Sequence, residues 1–176
     1  MSSPKFEPER IFQALARHDV DYVVIGAMAA TLQGAGLTMT LDVDVTVASS
    51  GKNRERLAAA LNEMKARLRV TDPEDAVQIP LDARMLARVE VMTFVTSFGP
   101  FDVLFAPAGA PPYERLRERA IELTRFGVVI RVANVEDLIS MKRATGREKD
   151  ANHLTTLIEF LKGRPVSGRK AKKDER

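Results

Sequence analysis

The feature that most constrains this chain is the seven-residue run "LDVDVTV" at positions 41–47. Apolar and polar residues alternate strictly along it, which is the period of a β-strand with one face against a core. Leu41 and the three valines are predicted to face that core, so Asp42 and Asp44 share the opposite face. A charged carboxylate is costly to bury without a cationic partner. The run therefore predicts either an ordinary solvated acidic face or a site for hard cations.

A second predicted strand, "FDVLFA" at 101–106, carries Asp102 between apolar neighbours. If this strand lies beside the first, three carboxylates meet, and Mg²⁺ prefers such oxygen ligands together with substrate phosphates. Mn²⁺ is an alternative occupant of the same ligand set. Taken alone, Asp102 is equally consistent with a half-exposed acid beside a hairpin turn.

Two further features suit phosphate groups. Gly26 ends a predicted strand and begins a helix, and at such a junction the backbone N–H groups point toward a bound anion. A glycine in an ordinary turn gives the same sequence pattern. In the last two predicted helices, Lys142 and Asp150 extend the apolar stripes and Arg147 lies near them. Buried charges need partners, so these residues form either a structural ion pair or a cationic wall that grips nucleotide phosphates.

The order of predicted elements gives the fold class. Helices are predicted at 8–20, 27–36, 50–68, 111–127, 134–146 and 147–163, and strands at 21–26, 41–48, 87–97, 101–106 and 128–133. The segment 70–88 is predicted to be a loop with one short helical turn. This order indicates an α/β (α+β) protein with a mixed sheet flanked by helices and a C-terminal helical pair. We expect a core over 1–133, helices packed on it over 134–162, and a basic, disordered tail over 163–176.

Charge and composition narrow the setting. There are no cysteines, which excludes disulfides and thiolate metal sites and fits a reducing cytoplasm. The N-terminus lacks a signal-peptide h-region, and no apolar run is long enough to cross a bilayer, so no membrane association is expected. Residues 162–176 hold seven basic and two acidic residues, whereas the rest of the chain holds 20 and 22. Such a tail can contact nucleic-acid phosphates or simply aid solubility.

Taken together, these motifs resemble the nucleotidyltransferases of the DNA polymerase β superfamily, and within them the AbiEii-like group, many of whose members are toxins of toxin–antitoxin pairs. The resemblance runs from about Asp21 to Leu161. The matching positions are Gly26-Ala27, Gln33-Gly34, the segment 38–44 with both aspartates, "FDVLF" with Asp102, and Lys142 followed by Gly146-Arg147-Glu148-Lys149-Asp150.

The resemblance implies a polymerase-β-like nucleotidyltransferase fold and a Mg²⁺-dependent transfer of NMP from an NTP to an acceptor hydroxyl. It makes Asp42, Asp44 and Asp102 the catalytic metal ligands. It assigns nucleotide binding to Gly26, Ala27, Thr40, Lys142, Arg147 and Asp150. In related toxins the acceptor is the 3′ end of tRNA, and a cognate antitoxin protein is a further expected partner. An aminoglycoside-like small molecule or a protein side chain is equally consistent with these residues.

Three positions depart from the group's pattern. Ala27 stands where relatives have a second Gly or a Ser, Gln33 where they often have His, and Thr38 where they often have Arg. Ala27 and Thr38 favour an alternative in which a degenerate domain binds nucleotide, RNA or a partner protein without chemistry. A third alternative is an unrelated α/β domain whose acids are simply on the surface.

Overall fold

The computed structural model describes residues 5–37, 40–146 and 151–163. Its centre is one seven-stranded sheet in the order β3-β4-β5-β2-β1-β7-β6. The strands are β1 (Tyr22–Ile25), β2 (Val43–Val47), β3 (Arg67–Leu68), β4 (Val91–Thr96), β5 (Gly99–Leu104), β6 (Ile121–Arg125) and β7 (Val128–Val132). The helices are α1 (Pro8–Arg17), α2 (Gly26–Leu32), α3 (Gly51–Glu63), α4 (Ala83–Leu86), α5 (Tyr113–Arg119), α6 (Val135–Thr145) and α7 (Ala151–Gly163). The predicted mixed sheet flanked by helices is confirmed.

The strand pairing puts β2 at the centre of the sheet. It pairs with β1 in the antiparallel sense and with β5 in the parallel sense, while β1 also pairs with β7 in parallel. The hairpins β4–β5 and β6–β7 and the short pair β3–β4 are antiparallel. A central strand has neighbours on both sides, so side chains on β2 lie directly beside side chains on β1 and β5.

The core lies where the predicted alternation places it. Val43, Val45 and Val47 of β2 are at most 1% exposed. On α1, the residues at helical spacing, Ile11, Phe12 and Leu15, are completely buried. Burying a large apolar side chain stabilises a fold by about 1.5–3 kcal/mol. The opposite face of β2, with Asp42, Asp44 and Thr46, looks toward the loop after β5 and toward α5 and α6.

Two expectations at the ends of elements are wrong. Leu41 does not face the core but is 64% exposed, because β2 begins two residues later at Val43. The helix predicted to run to Leu68 stops at Glu63. Lys65 adopts a left-handed φ of 52°, which ends the helix and turns the chain into the short strand β3.

The helix predicted over 111–127 is also wrong in its second half. The helix α5 ends at Arg119, and 121–125 forms β6, an edge strand hydrogen-bonded to β7. The turn between them holds Phe126 and Gly127 at φ values of 54° and 76°, as a tight two-residue hairpin requires. Pairing with β7 and contact of alternate β6 residues with the core therefore outweigh the helical spacing of the sequence.

The remaining elements follow the sequence more closely. Within 70–88 the structure has a 3₁₀ turn at Pro73–Asp75 and the four-residue helix α4. The Asn134 side chain caps α6 by accepting a hydrogen bond from the Asp137 N–H. Helices α6 and α7 pack together, and Leu157 is buried. The segment 147–150, where the last helix was predicted to begin, lies outside the described residues. Across the described part of the chain, no helix has the length and apolarity to span a membrane.

Candidate metal and nucleotide site

Strand register brings the three predicted carboxylates together. Asp44 on β2 lies directly opposite Asp102 on the parallel neighbour β5. Asp42 lies one residue before β2 begins, and it lines the same cavity as Asp44 and Asp102. One carboxylate oxygen from each residue lies within 4.8 Å of the other two. Three oxygens at this spacing could hold one or two hard divalent cations.

Gly26 has a definite steric reason to be glycine. A Cβ at this position would lie 2.2 Å from Asp44 Oδ2, and the residue has a left-handed φ of 68°. Only glycine satisfies both conditions, because it has no Cβ and adopts positive φ freely. The strand-to-helix junction therefore allows the Asp44 carboxylate to lie against the main chain where α2 begins.

The Thr40 side chain contacts a carboxylate. Its hydroxyl donates a hydrogen bond to Asp42 Oδ1 at 2.6 Å. Such a bond to an ionised acceptor is short and fixes the orientation of the carboxylate. The structure thus places Thr40, predicted from the resemblance to bind nucleotide, next to a candidate metal ligand, and Thr40 also lines the cavity that contains that ligand.

Asp102 has the most perturbed environment of the three. Its side chain is 15% exposed, and Arg69 Nη2 lies 3.6 Å from its Oδ2. Burial raises the pKa of Asp102 to about 6, the Arg69 charge opposes that rise, and the Asp42 charge adds to it. Among the described residues, none donates a hydrogen bond to the buried Oδ1. Asp102 thus has a buried carboxylate oxygen without a hydrogen bond, and its carboxylate lies within 4.8 Å of two others. A divalent cation would satisfy such a group, so the residues present fit a metal.

One cavity of about 550 Å³ joins the carboxylates to the C-terminal helices. On the sheet side it is lined by Gly26, Ala27, Thr40, Asp42, Asp44 and Asp102, and on the α6–α7 side by Met141, Lys142, Thr145 and His153. Its volume is within the range of pockets that bind small molecules and cofactors. The half-buried Lys142 thus lines the same cavity as the three acids.

Two predicted nucleotide-binding residues cannot be placed. Arg147 and Asp150 lie outside the described residues, so their contacts, including an ion pair of Asp150 with Lys142 or Arg147, stay predictions. Thr38, one of the departures from the family pattern, also lies outside them.

Sequence reasoning missed two residues of this region. Arg69 follows the two-residue strand β3, where the sequence predicts the end of a helix, so no strand is expected to bring it beside Asp102. His153 is not among the predicted site residues, and it lines the cavity. It lies four residues before the buried Leu157 on α7, and this helical spacing could have placed it on the inward face.

Comparison with known proteins supports the fold. Neither a protein-family model nor a curated protein matches this sequence. TM1012 from Thermotoga maritima, assigned to the nucleotidyltransferases, matches with a TM-score of 0.53 and 16% identity over 92% of this chain and 98% of its own. ANT(2")-Ia in complex with adenylyl-2"-tobramycin matches with a TM-score of 0.56 and 14% identity over 88% and 87%.

A third solved structure agrees with these two. The lincosamide antibiotic adenylyltransferase LnuA, with lincomycin bound, matches with a TM-score of 0.57 and 13% identity over 89% of this chain and 99% of its own. Identities this low establish the fold and not the activity. The chain has the mixed α/β fold of the polymerase-β-like nucleotidyltransferases.

Proposed function

We propose that this protein is a metal-dependent nucleotidyltransferase that transfers NMP from an NTP to an acceptor hydroxyl. The observation that carries the proposal is the meeting of Asp42, Asp44 and Asp102 from adjacent strands, with Lys142 across the same cavity. A solvated acidic face does not require three carboxylates within 4.8 Å of one another, one of them with an unsatisfied buried oxygen.

The three aspartates would hold Mg²⁺, or Mn²⁺ in its place. Bound there, the cation supplies Lewis-acid stabilisation of phosphoryl oxygens. In the transfer, the acceptor oxygen forms a bond to the α-phosphorus, the bond from that phosphorus to the bridging oxygen breaks, and pyrophosphate leaves. We propose that Asp102 also helps to remove the proton of the acceptor hydroxyl, because its carboxylate lies where the three candidate metal ligands meet.

The opposite wall would bind the triphosphate. Lys142 offsets its negative charge, and we propose the same role for Arg147, with Asp150 orienting one of the two. Gly26 and Ala27 line the cavity without polar side chains, so they approach the phosphates through the main chain. Ala27 stands where relatives have Gly or Ser, and main-chain contacts to the phosphates do not need the serine hydroxyl.

For the acceptor we propose RNA, with tRNA as the first candidate and an AbiEii-like toxin role. The support is the sequence resemblance and the basic residues concentrated at 162–176, which suit nucleic-acid phosphates. A cognate antitoxin would be the protein partner in that role. The solved structures of ANT(2")-Ia and LnuA hold an adenylylated or intact antibiotic, which makes a small-molecule hydroxyl the second candidate.

The deciding experiment is a transfer assay with each of four α-labelled NTPs and Mg²⁺. Total RNA is offered in one arm and a panel of aminoglycosides and lincosamides in the other. Asp44→Asn removes one charged ligand with almost no change of volume, and we expect it to lower transfer by about 1,000-fold. Asp75→Asn, at an exposed position in the 3₁₀ turn, is the matched control and should transfer normally.

Three results would contradict parts of the proposal. Equal transfer by Asp44→Asn and wild type would remove the carboxylates from the chemistry. NTP binding without transfer to any acceptor would favour the degenerate binding domain. A wild-type protein that binds neither Mn²⁺ nor any NTP would leave only an α/β domain with surface acids.

A further inference from the structure

The loop between β5 and α5 packs closely against α6 at Gly109. A Cβ at Gly109 would lie 2.6 Å from the Ser140 carbonyl oxygen, 2.7 Å from the Ala144 Cβ and 3.0 Å from the Met141 Cα. Two of these three atoms belong to the helix main chain, which cannot rotate away as a flexible side chain can. The loop and α6 therefore touch backbone to backbone, and only glycine permits this approach.

A hydrogen bond holds the two segments together at the same point. The Ser140 hydroxyl donates to the Gly109 carbonyl oxygen at 2.7 Å. Gly109 also has a left-handed φ of 76°, and the Ala110 N–H closes a turn on the Pro107 carbonyl oxygen at 3.1 Å. The contact is thus fixed by sterics, by backbone conformation and by a hydrogen bond.

This contact lies beside the cavity on both of its partners. In the loop, Pro107 and Ala108 precede Gly109 and line the cavity wall. On α6, Met141 and Lys142 follow Ser140 and line the facing wall. The Gly109–Ser140 contact therefore helps to fix the distance between the α6 wall and the carboxylates on β2 and β5, together with the packing of α6 on α2 and α7.

We propose that Gly109 is a positioning residue that places Lys142 opposite the three aspartates. The inference rests on the proposed function, because the distance matters only if a ligand bridges the two walls. A Cβ at Gly109 pushes α6 outward while the strand register that assembles the carboxylates stays intact. Gly109 thus acts on triphosphate binding and leaves the metal ligands in place.

The test compares Gly109→Ala with Gly127→Ala. Both glycines have a φ of 76°, but nothing lies within 4 Å of a Cβ at Gly127, so only the first substitution adds a steric overlap to the same backbone strain. We expect Gly109→Ala to raise KM for the NTP by about tenfold or more, because displacements near 1 Å have effects of this size. We expect kcat to change less than KM, and Mn²⁺ affinity, followed by EPR, to stay at the wild-type value. The Gly127→Ala protein should match wild type in all three.

Ser140→Ala gives a second test if Gly109→Ala does not fold. It removes only the hydrogen bond and should raise KM by a few-fold at unchanged Mn²⁺ affinity. If the wild-type enzyme is active and both Gly109→Ala and Ser140→Ala have its KM for the NTP, the inference is wrong but the proposed function stands. A parallel loss of Mn²⁺ affinity would overturn it too, because the variant would then disturb the sheet. Absence of NTP binding by the wild type would overturn the proposed function itself and the inference with it.

Discussion

The two walls of the cavity are built by different means. The acidic wall is fixed by main-chain pairing, since Asp44 and Asp102 are register partners in the middle of a seven-stranded sheet. The cationic wall, with Lys142, is placed by helix packing and by the loop contact at Gly109. Moving a central strand breaks several hydrogen bonds at once, whereas a packed helix can shift by small side-chain adjustments. Because of this difference, we expect substitutions in the cationic wall to weaken nucleotide binding without weakening metal binding.

The largest expected effect comes from breaking the acidic wall. Gly26→Ala inserts a methyl group into the space of the Asp44 carboxylate, so Asp44 must leave its place beside Asp102. We expect Mn²⁺ affinity and transfer both to fall by about 100-fold or more. Isothermal titration with Mn²⁺ and the label-transfer assay measure the two losses.

Gly34→Ala is the matched control for this prediction. Gly34 also has a positive φ, 87°, but a Cβ there meets no atom within 4 Å. Both variants lose about 1–2 kcal/mol of stability from backbone strain. Only Gly26→Ala should lose the metal, and equal Mn²⁺ affinities in the two variants would contradict the assigned role of Gly26.

Changing the cationic wall should give the opposite pattern. Lys142→Met keeps the length of the side chain and removes its charge from the cavity. We expect Kd for the NTP with Mn²⁺ to rise by about 10- to 100-fold, the size of one charge-assisted contact, while Kd for Mn²⁺ alone does not rise. Arg143→Met, the exposed neighbour on the same helix, is the control. If both variants bind NTP equally well, Lys142 does not contact the triphosphate.

The sequence predicts the acidic wall better than the cationic wall. Alternation places Asp42 and Asp44 on one face, and apolar flanks place Asp102 in a strand, because each pattern depends on a few adjacent residues. Arg69 and Gly109 could not be predicted, since each matters through a contact set by tertiary structure. The strand at 121–125 was missed for a related reason: its pairing with β7 depends on a turn whose left-handed Phe126 has no sequence pattern.

The raised pKa of Asp102 should make metal binding depend on pH. Without metal, the folded-state pKa of about 6 lies above that of an exposed aspartate, so the fold binds this proton more tightly than the unfolded chain does. That stabilisation is present at low pH and is lost as the pH rises through about 6. A cation binds the ionised carboxylate, so Mn²⁺ affinity should fall below pH 6 by up to about tenfold per pH unit. Consequently, the rise in Tm on adding Mn²⁺ should be larger at pH 7.5 than at pH 5.

Asp102→Asn provides the control for the pH experiment. The variant lacks the titrating group, so its weaker Mn²⁺ affinity should be nearly flat between pH 5 and 7.5. A wild-type affinity that is equally flat over this range would contradict the assignment of Asp102 as a metal ligand with a raised pKa.

The smallest expected effect concerns a contact within the acidic wall. Thr40 does not pair through the sheet, and its hydroxyl orients Asp42 by one hydrogen bond of 2.6 Å. Thr40→Val keeps the shape and removes the donor, which is worth about 0.5–1.5 kcal/mol, or a roughly two- to twelvefold loss of Mn²⁺ affinity. Thr40→Ser keeps the hydroxyl and should restore most of that affinity. If Thr40→Val instead weakens NTP binding at unchanged Mn²⁺ affinity, Thr40 contacts the nucleotide directly, and register alone orients the carboxylates of the acidic wall.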